Sequence, residues 1–410
     1  MEVGSLDLCN PDTFVEGVPH EYFALLRREA PLYWHEDKTT GVGFWAVTKH
    51  ADLVAVNRDT STYSSFLRTS LFGEFDPTLL DQQRMMLVNM DPPLHTRYRR
   101  LVNKGFTPRM VAQLEEKIVG RTRKILERAI EMGEFDFVTE CAAELPLQVI
   151  AELMGIPEDE RHKVFDWSNR MVGAADDEYG DTPEQAAQAS MELFAYADEL
   201  TAQRKADPHD DLISILAHAE IEGDKLDQLE IDLFFLLLAV AGNETTRNLI
   251  SHGTLMLIEN PDERRRLQEH PELLETAIEE MLRCASPVMH FRRTASVDTE
   301  LHGQKISEGD KIVFWHISAN RDEEVFDDPM RFDVGRSPND HVAFGGGGAH
   351  FCLGANLARM EIRVMFTEMM RLMPELDLTG DVSRLRSNFI NGIKHLPVRR
   401  SKQPAVVGAP

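Results

Sequence analysis

Hydrophobic positions along this chain recur mainly at helical spacing. Between Val111 and Leu282, apolar residues return every three or four positions among charged ones, the mark of amphipathic helices packed by one face. A further helix is predicted from Leu357 over LARMEIRVMFTEMMRLM, with Arg359, Glu361, Arg363 and Arg371 among its polar positions. The first quarter reads differently, with short β-type runs such as Gly43-Phe44-Trp45-Ala46-Val47 between turns, and Lys311-Ile312-Val313-Phe314-Trp315 is a similar strand candidate after Pro287. Breakers mark the joints at Asp91-Pro92-Pro93, Thr107-Pro108, Ile156-Pro157, Asp207-Pro208, Asn260-Pro261 and Ser286-Pro287. No internal repeat or low-complexity linker separates these segments. The pattern predicts a mainly α protein with small β-sheets and one domain over residues 1–410, its N-terminal part richer in short strands and its C-terminal part mostly helical.

Composition narrows the setting. A chain of 410 residues with 42% hydrophobic content can fill a substantial core. Its net charge of -25, from 44 Lys+Arg against 69 Asp+Glu, argues against a nucleic-acid partner. The longest apolar run, Leu233 to Val240, begins after Asp232 and falls well short of the roughly 18 residues that cross a bilayer. The start, MEVGSLDLCN, has neither the basic region nor the apolar stretch of a secretion signal. Cys9, Cys141, Cys284 and Cys352 lie too far apart for a zinc knuckle or an iron–sulfur pattern. A cytoplasmic protein with no transmembrane segment is expected.

Three constellations carry candidate chemistry. In Phe344-Gly345-Gly346-Gly347-Gly348-Ala349-His350-Phe351-Cys352-Leu353-Gly354, a glycine loop delivers one cysteine to the start of a helix. The helix dipole there is expected to lower the thiol pKa, and the missing Cβ atoms let a large flat ligand approach the backbone. A phosphate loop is excluded because no Gly-Lys-Ser/Thr follows, and a dinucleotide fingerprint because His350 occupies its third glycine position. A metal-binding thiolate and a core cysteine both remain open on this loop alone. The most hydrophobic helix, IDLFFLLLAVAGNETTRNLI, is interrupted by small Ala241 and Gly242 and then by Glu244, Thr245 and Thr246. A ligand could lie against that gap, and an acid beside an alcohol can relay protons; a solvated turn or an acid satisfied by arginine is the alternative. The third, Glu280 with Arg283, is an ion pair of a kind common on helix surfaces.

These motifs, in this order and over nearly the whole chain, resemble the cytochrome P450 family. Phe344 to Gly354 resembles its haem-thiolate signature, Ala241 to Thr246 its oxygen-activating helix, and Glu280 to Arg283 its Glu-x-x-Arg pair. Phe344 stands eight residues before Cys352, one more than the commonest form. The resemblance implies a triangular helical prism with haem b between the oxygen-activating helix and the cysteine-ligand helix. It implies that Cys352 is the axial iron ligand, with Phe344, Gly354 and Ala241 around the cofactor and Gly354 allowing close helix packing. His95, Arg99, Arg293 and His350 would hold the propionates, Thr245 the oxygen, and Glu244 would deliver protons. Glu280, Arg283 and Arg336 would form a structural triad.

Within the family, the eight-residue spacing, Ala241 to Asn248, Asp166-Trp167-Ser168-Asn169 and Asn391 to His395 look like actinobacterial sterol side-chain terminal-methyl hydroxylases and methyl-branched lipid omega-hydroxylases. That implies a monooxygenase using O2 on a cholesterol or cholest-4-en-3-one class substrate. A methyl-branched fatty-acid or terpenoid hydroxylase is the alternative, and a non-catalytic haem-binding protein a more distant one. Placed by family position, Phe66, Leu71, Phe72, Val88, Met171, Val172, Val240, Val288, Met289 and Phe291 would line an apolar substrate pocket. Nothing after the cysteine helix resembles a flavin or iron–sulfur module, so electrons are expected from a ferredoxin and its ferredoxin reductase, docking near Arg97, Arg100, Arg359 and Arg363 on a monomer.

Overall fold

The computed structural model describes residues 1–401 except 39, 107, 173–175, 177, 179–181 and 222; the side chains of 108–111, 113, 165, 172, 183 and 221 also lie outside the described set. Nine helices position the site. They are α1 (His50–Arg58), α2 (Leu94–Val102), α3 (Pro108–Met132), α4 (Glu144–Met154), α5 (Arg161–Val172), α6 (Pro183–Ala206), α7 (Gln228–Glu259), α8 (Leu274–Ala285) and α9 (Ala355–Leu372).

The central element is α7. Asp227 and Glu230 close a capping box at its N-terminus, satisfying free N–H groups there. Its 32 residues run about 48 Å at 1.5 Å per residue, and they are buried on nearly every side because α4, α6, α8 and α9 pack around it. Gly253 marks the tightest crossing: a Cβ there would lie 2.7 Å from Phe366 Cζ on α9 and 2.8 Å from Met281 Sδ on α8. Only the absence of a side chain lets the three helices meet.

The largest sheet has five strands, β1 (Leu32–His35), β2 (Phe44–Val47), β3 (Tyr63–Ser64), β4 (His290–Ala295) and β5 (Lys311–Trp315), in the order β1-β2-β5-β4-β3. The β2–β5 pairing is parallel and the others antiparallel. Alternation along β5 sends Val313 and Trp315 into one apolar cluster and Ile312 and Phe314 into another, so both faces of the sheet are covered. Mainly helical architecture with small sheets is what the hydrophobic pattern predicts. The expected split into a strand-rich start and a helical end does not hold, because Leu376–Leu378, Ile393–His395 and Pro397–Arg400 are strands. Runs of three or four residues are too short to show a period. Among the described residues, no helix is long and apolar enough to cross a membrane.

Candidate active site

The loop before α9 is held from α1. Asn57 Nδ2 donates to Gly347 O at 3.0 Å and to Gly345 O, and Arg58 Nε donates to Gly346 O at 3.2 Å. Gly345 to Gly348 all have φ between 65° and 102°, a left-handed run that residues with a Cβ rarely adopt. This backbone turns Cys352 into a cavity of about 270 Å³, with Cys352 N donating to Phe344 O at 3.0 Å. Phe344 lines the same cavity and carries the Arg359 guanidinium 4.5 Å over its ring.

The thiol does not titrate as the sequence suggests. Burial raises the Cys352 pKa, and the Gly354 N–H, Arg99 and Arg359 only partly oppose it. The reason is position: α9 begins at Ala355 with Gly354 as its cap, so Cys352 precedes the first turn and gains little from the dipole. The sulfur is accessible only because it faces the cavity. A cation bound to it would supply what the helix does not and favour the thiolate. Gly354 also lines the cavity, and a Cβ there would meet no protein atom within 4 Å. It therefore opens space in the cavity and does not serve the helix packing expected of it.

One end of the cavity is crowded with nitrogen. His95 and Arg99 come from α2, Arg293 from β4, His350 from the loop and His316 from just after β5. The His95 and His350 rings lie 4.5 Å apart. Arg99 Nη1 donates to Ala349 O at 3.0 Å, and Arg293 donates to Asn57 Oδ1 at 2.7 Å and Ser70 Oγ at 3.3 Å. Burial first, then the neighbouring guanidinia, pushes His95 down to about 4, His316 to about 3 and His350 to about 2. Burial also lowers Arg293 to about 10. Arg293 Nε and His316 Nδ1 are buried without hydrogen-bond partners. The only acid among the described lining residues is Glu361, whose carboxyl burial holds well above the usual range. One buried and one half-buried guanidinium beside three imidazoles kept neutral, with no carboxylate hydrogen-bonded to either guanidinium among the described residues, suit a ligand bearing two carboxylates. Together with the thiol on the same cavity, this donor set fits haem b, which Cys352 and the residues of the cationic end could hold.

Part of the same lining belongs to α7. Ala241, Gly242, Thr245 and Thr246 line the cavity, and Thr245 Oγ1 donates to Ala241 O at 2.8 Å. A Cβ on Gly242 would lie 2.3 Å from Ile150 Cδ1, so this glycine also admits α4. Glu244 does not line the cavity. Adjacent helix positions point about 100° apart, and Glu244 is buried beside Arg247, which donates to it and to Asn169 Oδ1 at 3.2 Å. Burial raises the Glu244 pKa against the pull of Arg247, and its Oε1 has no partner. Acid and alcohol thus occupy different faces, and the acid is satisfied on one oxygen only.

Glu280, Arg283 and Arg336 form a closed knot away from the cavity. Arg283 donates to both Glu280 oxygens at 2.7 Å, and Arg336 Nε reaches both at 3.1 Å. Asp333 N and Asn339 Nδ2 fill the remaining acceptor directions, while Arg283 Nη1 donates to Asn320 O and Pro329 O. The knot thereby pins residues 320 to 339 against α8.

Of the residues placed in a substrate pocket, Val88, Val288 and Phe291 line the cavity. Phe66 is exposed, with Arg84 stacked 5.1 Å over its ring. Phe72 packs edge-on against Phe44 and His290 beneath the Lys311 ammonium. Leu71 beside it is half-buried, and Met289 is buried in the cluster under β5. Val240 and Met171 are half-buried, the latter packed against the main core, and neither borders the cavity. The Val172 side chain lies outside the described residues. The sequence pattern also misses Leu87, Leu237, Asn57, Ser70, His316 and Glu361 on the lining. Only Glu361 leaves a signal, as an acid four residues after Leu357 on the apolar face of α9.

Comparison with known proteins agrees with this geometry. The cytochrome P450 family model matches residues 16–373. A steroid C26-monooxygenase of Rhodococcus jostii is 43% identical over 405 residues, covering 96% of this chain and 84% of that protein. A methyl-branched lipid omega-hydroxylase of Mycobacterium tuberculosis is also 43% identical, over 97% of this chain and 94% of its own. A Mycobacterium marinum cytochrome P450 solved with pseudoionone superposes with a TM-score of 0.87 at 40% identity, covering 93% of this chain and 94% of that one. Similarity of this extent, on a cavity whose donors suit haem, means that the chain belongs to the cytochrome P450 family and is a haem b monooxygenase.

Proposed function

We propose that this enzyme hydroxylates the terminal methyl of a sterol side chain of the cholesterol or cholest-4-en-3-one class. The observation that carries the reading is the hydrocarbon in the cavity lining, where Leu87, Val88, Leu237, Val288 and Phe291 join Thr245. Such a wall binds by burial at roughly 25 cal/mol per Å² and discriminates against a polar terminus. A methyl-branched lipid is the second reading, favoured by a relative of that name at the same 43% identity.

Bound haem supplies O2 activation, with electrons delivered by a redox partner. The chain's own residues do the rest. Cys352 would hold the group through its sulfur, and Arg99, Arg293, His95 and His350 would offer donors to its carboxylates. Thr245 places a hydroxyl on the cavity wall, where it can hold water or a proton at the reacting end. Glu244 is the proton reservoir: its carboxyl must turn from Arg247, or use a water, to reach Thr245. Thr245→Ala is expected to retain haem while electron consumption exceeds product formed; full coupling in this variant contradicts the role.

Spectral titration with cholest-4-en-3-one, a methyl-branched fatty acid and a monoterpene tests the substrate. The tightest low-to-high-spin shift is expected for the sterol, with product oxidised at the terminal methyl; tighter response to the branched acid selects the second reading. We further propose a cytoplasmic monomer served by a ferredoxin and its reductase. Arg97, Arg359 and Arg363 are already tied to Asp224 and Glu230, to Glu279 and to Glu115, so Arg100 is the better docking cation.

A further inference from the structure

A second group of chemically active side chains lies where the N-terminal strap crosses β1. Among the described residues, one ligand atom each of Asp7, Cys9 and His35 falls within 4.8 Å of the other two. Asp7 Oδ1 is 3.1 Å from His35 Nε2 and accepts from Cys9 N at 2.9 Å. The acid lies between thiol and imidazole, which is the wrong order for a Cys-His-Asp nucleophile, where the imidazole must stand between the other two. Thiol, imidazole and carboxylate are, however, the donor types that bind a borderline-soft divalent ion.

The surroundings point the same way. Cys9 is half-buried. The imidazole is held almost fully buried, its ring packed on Phe44 and Tyr33, while Asp7 is exposed. Two donors on one tetrahedral zinc, bound at about 2.0–2.3 Å, stand about 3.3–3.8 Å apart, so the Asp7–His35 pair at 3.1 Å already has bonding spacing and a spread of up to 4.8 Å closes with a small shift of the thiol.

We propose that Asp7, Cys9 and His35 bind a zinc-type divalent cation, with solvent in the remaining position, and that the ion fastens the strap to β1. Binding deprotonates Cys9, releasing one proton to solvent, with no change of oxidation state. The strap is already joined to residues 386–388 through Arg386 Nε to Asp12 Oδ1 at 2.6 Å and through Asn388 Nδ2 to Leu8 O and Cys9 O. A metal here therefore stiffens a strap that two separate parts of the chain share.

The test uses haem-loaded enzyme stripped by chelating resin and titrated with ZnCl2 against a colorimetric chelator. One tight equivalent is expected, which Cys9→Ser and Asp7→Asn each weaken by at least roughly tenfold to a hundredfold, the range lost with an outer partner alone. Zinc should also shield Cys9 from alkylation, read by peptide mass spectrometry. Absence of the tight equivalent, or its persistence in both variants, overturns the proposal, as does Cys9 alkylation that zinc leaves unchanged. His35→Gln adds a third arm, with its haem spectrum confirming that it has folded.

Discussion

Two clusters of buried charge in this enzyme look alike in composition and differ in balance. In the knot, Glu280 and Arg283 are fully buried, Arg336 nearly so, and every acceptor direction of the carboxylate is taken by the chain itself. At the cationic end of the cavity, Arg99 and Arg293 face neutral imidazoles, Arg293 Nε has no partner, and Asp91, whose charge still acts on Arg293, accepts from Ser64 and the amides of Ser65 and Phe66 rather than from either guanidinium. A buried charge cluster that closes on itself is part of the scaffold, and one left with unspent positive charge is built around something else. That difference separates a structural role from a cofactor-binding one without reference to any relative.

The largest expected effect comes from opening the knot. Glu280→Ala leaves two guanidinia without their anion at a buried site, a loss of about 3–5 kcal/mol. Collapse of the soluble haem-thiolate spectrum and a thermal midpoint far below wild type are expected in the same preparation. Retention of a wild-type midpoint would show that the knot is not what holds residues 320 to 339.

Arg293→Ala should act in the opposite sense on apoprotein and holoenzyme. Removing a buried, unbalanced charge leaves apoprotein stability equal or higher, whereas losing a charged hydrogen bond of about 1.5–3 kcal/mol speeds haem release roughly tenfold to a hundredfold. Transfer of haem to excess apomyoglobin measures the second and calorimetry the first. Equal loss in both forms would make Arg293 a scaffold residue like Arg283.

Acid sharpens the contrast further. His95, His316 and His350 have folded pKa values near 4, 3 and 2, below the ordinary 6.5, so the unfolded chain binds more protons. Their contribution to stability is complete above pH 6.5 and is lost as pH falls toward 4, at up to about 1.4 kcal/mol per pH unit for each group. Propionates beside them would raise the folded values and flatten that slope. Apoprotein should therefore lose stability more steeply than holoenzyme between pH 6.5 and 4. His20, His252 and His290 are also lowered but belong to both forms, so the difference between the two curves isolates the cavity.

The cysteine loop, the α7 motif and the Glu280 knot are legible in sequence because each is local, or set at a family spacing that the chain keeps. Whatever depends on how distant segments meet is not. Asn57 and Ser70 reach the cavity through folded loops, and His316 through the end of a strand whose own pattern says only that it is buried. Phe66, Phe72 and Met289 are reasonable apolar candidates, but their side chains go to an arginine stack, the sheet face over Phe44 and His290, and the core under β5. The direction of the Cys352 shift turned on two residues of helix register, and Glu244 on one step of helix rotation.

The smallest effect comes from converting one cluster into the other. Asn57 accepts from Arg293 at 2.7 Å and donates to the glycine loop. Asn57→Asp supplies the anion that the cationic end lacks, so Arg293 should become internally paired as Arg283 is. The same change sets a carboxylate against Gly345 O and Gly347 O, which cancels part of the gain, and the apoprotein should move by no more than about 1 kcal/mol, the scale of one net hydrogen bond. Haem, however, now competes with a resident anion, and its release should quicken severalfold with little change in the apoprotein's melting. Unchanged haem release would mean that Arg293 has charge to spare for both partners, and that the imbalance resides in Arg99 instead.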